Sequence, residues 1–254
     1  MEKMFFNISS TNNQKWVSFQ AEQWRKEKIS PAYEKDTPPP FVTISREFGC
    51  SGFSLGELLA DILNTTAGDK DEFWAVYDKK VLDVVKEKYG IHQEVLHALA
   101  ERTINEISDF LISIIPESLT QYIICKKLFT TIRALAHKGN SILIGRGAAV
   151  ATRGLRGGLH IRIFASPEWK IDRIMKMQKI TSKIEARNIM ENASKEREVF
   201  VRKYLKREVS DVTNYHLMLN NEYLNKDEMI KIILKTMQLK DMIRMRDLGP
   251  EELN

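Results

Sequence analysis

The chain has 254 residues, with 39 Lys and Arg against 34 Asp and Glu, 43% apolar residues, 12 Gly and 7 Pro. That length suits one large α/β domain or two small ones. The composition excludes collagen-like, disordered and disulfide-scaffold proteins. A net charge of +5 favours phosphate-bearing small molecules without pointing to nucleic acid.

No apolar run approaches the ~18 residues that cross a bilayer; residues 110–115 are typical of the longest. The opening Met1-Glu2-Lys3-Met4-Phe5-Phe6 passes at once to polar Asn7, Ser9 and Ser10, unlike the extended apolar region of a signal peptide. Cys50 and Cys125 are too few for a disulfide framework and lack metal-ligand spacing. A cytoplasmic protein with neither a membrane nor a nucleic-acid partner is the expectation.

In chain order, residues 14–28 predict a helix carrying Trp16, Phe19 and Trp24, and Thr37-Pro38-Pro39-Pro40 closes it, because consecutive prolines cannot continue a helix. Residues 1–40 therefore read as a helical arm with a Pro-rich connector, packing on the main domain, on a second copy or on a protein partner. Phe41-Val42-Thr43-Ile44 predicts a buried strand. A turn holding Gly49 and Gly52 follows, and Leu55, Leu58, Leu59, Ile62 and Leu63 then recur at helical spacing. A short strand is predicted over 74–77, ending at Asp78. Residues 79–138 are mainly helical, with Leu119, Tyr122, Ile123, Phe129, Ile132 and Ala136 on one stripe.

Ser141-Ile142-Leu143-Ile144 between Gly139-Asn140 and Gly145 is the clearest strand. Another covers 159–165 and ends at Ser166-Pro167, a helix entrance. One long polar helical stretch follows over 168–205, then a last strand over 215–219 and a closing helix over 226–245. Strands alternating with helices imply a mainly parallel sheet flanked by helices.

Ligands of open α/β sheets bind outside the carboxyl ends of the strands. The turn Ser45-Arg46-Glu47-Phe48-Gly49-Cys50-Ser51-Gly52-Phe53-Ser54 occupies such an end and leads into a helix. Glycines let successive N–H groups converge on a phosphate while the helix N-terminus adds a favourable dipole; a tight turn without a ligand is the competing reading. The usual Gly-x-x-x-x-Gly-Lys-Ser/Thr pattern is not matched. In an ungapped alignment Arg46 stands at the first glycine, Gly52 at the lysine and Phe53 after it, and no lysine occurs between Arg46 and Lys70. The loop's fixed cation must come from elsewhere, and Arg46 is the nearest candidate. The five histidines form no metal spacing and read as packing or surface residues. Cys50 reads either as a redox-sensitive thiol or as a small buried side chain.

Together Val42-Thr43-Ile44-Ser45-Arg46-Glu47-Phe48-Gly49, Val76-Tyr77-Asp78-Lys79, Ile144-Gly145-Arg146-Gly147-Ala148 and Asn214-Tyr215-His216-Leu217-Met218-Leu219-Asn220 resemble the cytidylate kinase-like family, a divergent branch of the P-loop nucleoside monophosphate kinases. The resemblance runs from about Phe41 to Leu234. It implies a three-layer P-loop kinase-like fold over 41–245, with an acceptor-binding helical region over 79–138, a lid over 192–211 and a tail over 246–254. It further implies ATP as phosphoryl donor, Mg²⁺, and a nucleoside monophosphate substrate, CMP or dCMP first.

Carried over by residue, Ser45, Arg46, Gly49, Cys50, Ser51, Gly52, Phe53 and Ser54 hold the donor phosphates, with Arg173 framing that site and Ser54 assigned to Mg²⁺. Asp78 and Arg146 place the acceptor. Arg197 and Arg202 are the catalytic arginines of the lid. Each assignment has a plainer rival: Asp78 as a helix N-cap, Arg146 in a surface ion pair, and Lys195 to Arg207 as an exposed basic helix face. Gly147 stands where better-known members carry aspartate. A lysine-less loop also keeps open a regulatory nucleotide-binding module with little transfer activity.

Overall fold

Apolar runs and amphipathic stretches alternate as parallel strands and helical crossovers in a computed structural model that describes residues 39–66, 73–78 and 117–243. The helix expected over 14–28, the arm up to Pro38, the segment 79–116 with His92 and His97, and the tail over 246–254 lie outside the described residues. The chain divides into two units, Met1–Pro31 with Lys79–Thr131 and Ala32–Asp78 with Ile132–Asn254. Only 117–131 of the first unit are described, and they are helical.

The elements are β1 (Phe41–Arg46), α1 (Gly52–Thr66), β2 (Ala75–Tyr77), α2 (Glu117–Lys138), β3 (Ser141–Ile144), α3 (Ala148–Ala151), β4 (Gly158–Phe164), α4 (Pro167–Gln178), α5 (Lys183–Leu205), a 3-10 turn (Val212–Asn214), β5 (Leu217–Asn220) and α6 (Lys226–Leu239). The five strands lie in the order β2-β3-β1-β4-β5, and every pairing is parallel. The expected α/β architecture, a parallel sheet flanked by helices, is therefore the fold.

β1 is central. Ile44 aligns with Ile144 of β3 and Ile161 of β4, and the Gly145 N–H donates to the Ile44 carbonyl at 3.0 Å. The turns after β1 and β3 thus emerge side by side, where chain direction across the sheet reverses. Val42, Ile44, Ile142, Ile144, Leu159, Ile161 and Ile163 form one core with α1 (Leu55, Leu59, Leu63) and α6 (Met229, Ile233, Met237). Strand alternation sends Thr43, His160 and Arg162 to the opposite face, where they too are buried. A sheet covered on both faces reads in sequence as continuous apolar runs.

The predicted 168–205 helix is two helices. Lys179 takes φ 57°, ending α4, and the Ser182 hydroxyl accepts the Glu185 N–H to start α5; a serine N-cap inside the polar stretch is the signal the periodicity masks. Ile171 and Ile174 then meet Ala186 and Met190, with Phe48 of the β1 turn packed against them. β5 starts two residues later than predicted, at Leu217, because Tyr215 follows the 3-10 turn capped by Asp211 and bonds the Val209 carbonyl instead. The closing helix ends at Leu239.

His160 is buried against Phe41 and stacked on His216 at 5.0 Å. Thr43 Oγ1 lies 2.9 Å from His160 Nδ1. The His160 N–H donates to His216 Nδ1 at 2.9 Å, so that nitrogen stays unprotonated. Burial, with His216 and Lys240 adding, pushes the His160 pKa down to about 4, and burial then Lys240 lower that of His216. The unfolded chain takes up this proton near pH 6.5 and the folded chain does not. Stability is therefore fully present above pH 6.5 and falls toward pH 4, by about 3 kcal/mol for His160. Urea denaturation at pH 7 and pH 4.5 should show wild type losing more stability on acidification than His160→Gln; equal losses would refute this origin.

Candidate active site

β1 ends at Arg46, and the side chain of that residue organises the two adjoining turns. Its stem crosses Gly52, where an added Cβ would lie 2.9 Å from Arg46 Cγ. Its head reaches Gly145 after β3, where an added Cβ would overlap Nη1. Gly145, Arg146 and Gly147 have φ values of 72°, 51° and 68°. This left-handed run favours glycine at its two ends and strains Arg146 by about 1–2 kcal/mol. Gly147 is further restricted: a Cβ there would meet Leu205 Cδ1 of α5 at 2.5 Å, so the Leu205 side chain would have to shift to admit one.

Arg197 comes to the same place from α5. Its Nη1 donates to the Arg46 carbonyl at 3.2 Å, and its guanidinium lies 5.3 Å from the centre of the Phe48 ring. Arg146 lies 5.9 Å from that of Phe200. Burial pushes the Arg46 pKa down to about 10, with Arg197 and then Arg146 acting in the same direction and Asp78 opposing them. Burial also lowers that of Arg197, opposed by Cys50 and reinforced by Arg146 and Arg162. Arg46, Arg146, Arg197 and Asp78 are thus brought together electrostatically.

Several other cations of the region are in ion pairs, whereas Arg173 bonds only the Ser51 hydroxyl among the described residues. Glu47 bridges Arg162 Nη2 at 3.1 Å and Lys170 Nζ at 2.6 Å. Arg187 pairs with Glu168 and Lys183 with Asp172. Arg202 makes a two-pronged bond to Glu208, 2.8 Å at each end, on the exposed side of α5, so it is not drawn into the cluster. Among the described residues, no carboxylate stands within ion-pair distance of Arg46, Arg146 or Arg197.

The remaining loop residues are held by the protein's own bonds. The Cys50 N–H donates to Glu47 O and the Gly52 N–H to Cys50 O. The Ser51 N–H donates to Asn221 Oδ1 at 3.1 Å, and the Ser51 hydroxyl accepts from Arg173, whose guanidinium stacks over Trp169 at 5.2 Å. Gly49 (φ 95°) lies against Lys170, leaving only 3.2 Å between an added Cβ and Lys170 Cβ. Tyr215 brings its hydroxyl 3.3 Å from Ser45 Oγ. Phe53 is partly exposed in the first turn of α1. Burial and Glu47 push the Cys50 thiol up to about 11, which favours the inert reading of that cysteine.

Ser54 Oγ donates to the Ser51 carbonyl at 3.4 Å, keeping its lone pairs for a cation. No group of three or more His, Cys, Asp and Glu converges as a metal site among the described residues. A Mg²⁺ ion here would draw most of its oxygen shell from phosphates and water.

Sequence reading did not single out Glu47, Phe48, Arg162, Lys170, Tyr215 or Asn221. Its best missed signal was Arg162, a charge inside a buried strand run. No described helix is long and apolar enough to cross a membrane.

A family model described as the cytidylate kinase-like family matches residues 41–223. The crystal structure of an uncharacterized protein from Eubacterium ventriosum aligns with a TM-score of 0.56 at 21% sequence identity, covering 79% of this chain and 98% of that one. No curated protein matches.

A half-buried cation such as Arg46 with no ion pair costs the folded state, and a bound anion lowers that cost. Arg46→Met, which keeps the stem, should therefore leave the melting temperature of the ligand-free protein unchanged or higher. Inorganic pyrophosphate should raise the melting temperature of the wild type and leave that of Arg46→Met unmoved. Thermal shifts at low salt test both, and a ligand-free Arg46→Met protein that melts lower would contradict this account.

Proposed function

The chain belongs to the cytidylate kinase-like family, and from that premise we propose that it moves the γ-phosphoryl group of ATP to a nucleoside monophosphate, CMP or dCMP first among acceptors. The observation that carries this reading is the convergence of Arg46 and Arg197, joined by Arg146, with none of the three in an ion pair among the described residues. Three half-buried guanidinium groups gathered at the ends of β1 and β3 call for a polyanion.

In this reading 41–245 is the catalytic domain, 79–138 its acceptor-binding region and 192–211 its lid. The turn 45–54 and Arg173 hold the donor phosphates, and Arg46 is the loop's cation in place of the missing lysine. Arg146 takes the acceptor phosphate in a two-pronged grip suited to guanidinium, with Asp78 beside it. An oxygen of that phosphate attacks the γ-phosphorus in line, and the β-phosphate oxygen of ADP leaves. No protein nucleophile is required; the chain's work is positioning and neutralising charge on the transferred group. Arg197 supplies that neutralisation from α5, and Arg202 stands further out in its Glu208 pair. Mg²⁺ enters with ATP on the phosphate oxygens, and Ser54 is the protein oxygen assigned to it.

A second reading has its own observation. The Ser51 N–H is taken by Asn221 and its hydroxyl by Arg173, so part of the loop's donor set is spent within the protein. This favours a nucleotide-binding module with little transfer.

A coupled ADP-release assay across CMP, dCMP, UMP, AMP and GMP separates the two. Turnover with CMP or dCMP, lowered about 100- to 1000-fold by Arg146→Ala or Arg197→Ala, is expected. Saturable ATP binding with no turnover on any acceptor would instead favour the module. Gly52→Lys should not raise the rate, since its Cβ would lie 2.9 Å from Arg46 Cγ; a large gain would show that the two cations coexist.

A further inference from the structure

Arg162 is a charge in an unusual place. It lies within β4, 8% exposed, between the buried Ile161 and Ile163. A guanidinium there is unfavourable unless it is paired and hydrogen-bonded. Its Nη2 donates to Glu47 Oε1 at 3.1 Å, its Nη1 donates to the Val209 carbonyl at 3.0 Å, and its head stacks 5.6 Å from the Tyr215 ring.

The Tyr215 hydroxyl donates to the same Val209 carbonyl at 2.7 Å and lies 3.3 Å from Ser45 Oγ at the end of β1. One residue earlier, the Glu208 carbonyl accepts from Asn214 Nδ2 at 2.8 Å, and Asn214 is itself buried. Three side chains thus hold two consecutive carbonyls of the connector that leaves α5. That connector is otherwise polar and exposed at Lys206, Arg207 and Glu208, tied from within by the Arg202–Glu208 pair and by the Asp211 N–H on the Glu208 carbonyl at 3.3 Å.

The same α5 carries Arg197 to the Arg46 carbonyl and rests Leu205 on Gly147. A helix presents its side chains according to where its ends are held. We propose that Arg162 and Tyr215 are positioning residues: they pin the Val209 carbonyl to the end of β1, and so set where α5 presents Arg197. The kinetic consequence of the pin rests on the phosphoryl-transfer reading; the pin itself does not.

Tyr215→Phe removes the hydroxyl and little else, and Arg162→Lys cannot span Glu47 and Val209 together as the planar fork does. For either variant, amide hydrogen exchange over 203–211 should quicken about tenfold while β4 stays protected. Turnover should fall about tenfold or more, with KM for ATP and acceptor within about twofold, because misplacing a catalytic group acts on the transfer step. That loss should shrink to near nothing in an Arg197→Lys background, where the pinned group is already altered.

Unchanged exchange over 203–211 in both variants would overturn the proposal, as would a turnover loss of equal size in both backgrounds. If no acceptor is phosphorylated at all, the transfer reading fails, while the exchange measurement still decides whether the pin exists.

Discussion

The seat of Arg46 governs both turns of the site. Its side chain starts at the end of the central strand, runs over Gly52 and ends at Gly145. Neither glycine could carry a Cβ without moving it. The loop therefore has room for an arginine rooted at position 46 or for a longer side chain at position 52, but not for both. The missing lysine becomes intelligible in these terms: the turn is built around a cation entering from the other end.

The same constraint sorts the cations of the site. Arg162 and Lys170 share Glu47 and hold the loop to β4 and α4, while Phe48 enters the apolar contact between α4 and α5. These paired charges are scaffold. Arg46 and Arg197 are pushed together despite mutual repulsion, and Arg146 is held at a left-handed φ between two glycines. Strain and unpaired charge of this kind persist only where the surrounding structure holds them, and they gather at functional sites.

Much of the fold was legible in the chain. Ser141–Ile144 was read to the residue, and the Ser166-Pro167 entrance marks the start of α4, because strand period and capping chemistry act between near neighbours. Where local signals competed, reading faltered: the 168–205 stretch hid a break at 179–182, and β5 lost two residues to the tyrosine that bonds Val209. The turn between β1 and α1 was also legible from its glycine spacing, and the family from the resemblance of four short segments.

The sequence by itself determined a parallel α/β chain, its family and the glycine-bearing turn between β1 and α1, since each follows from patterns a few residues long. Only the tertiary structure decided which arginines meet. Arg46 touches Gly145 and Arg197 across long stretches of chain, Arg202 turns away to Glu208, and Glu47 gathers Arg162 and Lys170. No local pattern encodes those choices, because burial and charge pairing depend on which distant segments the strand order β2-β3-β1-β4-β5 places side by side.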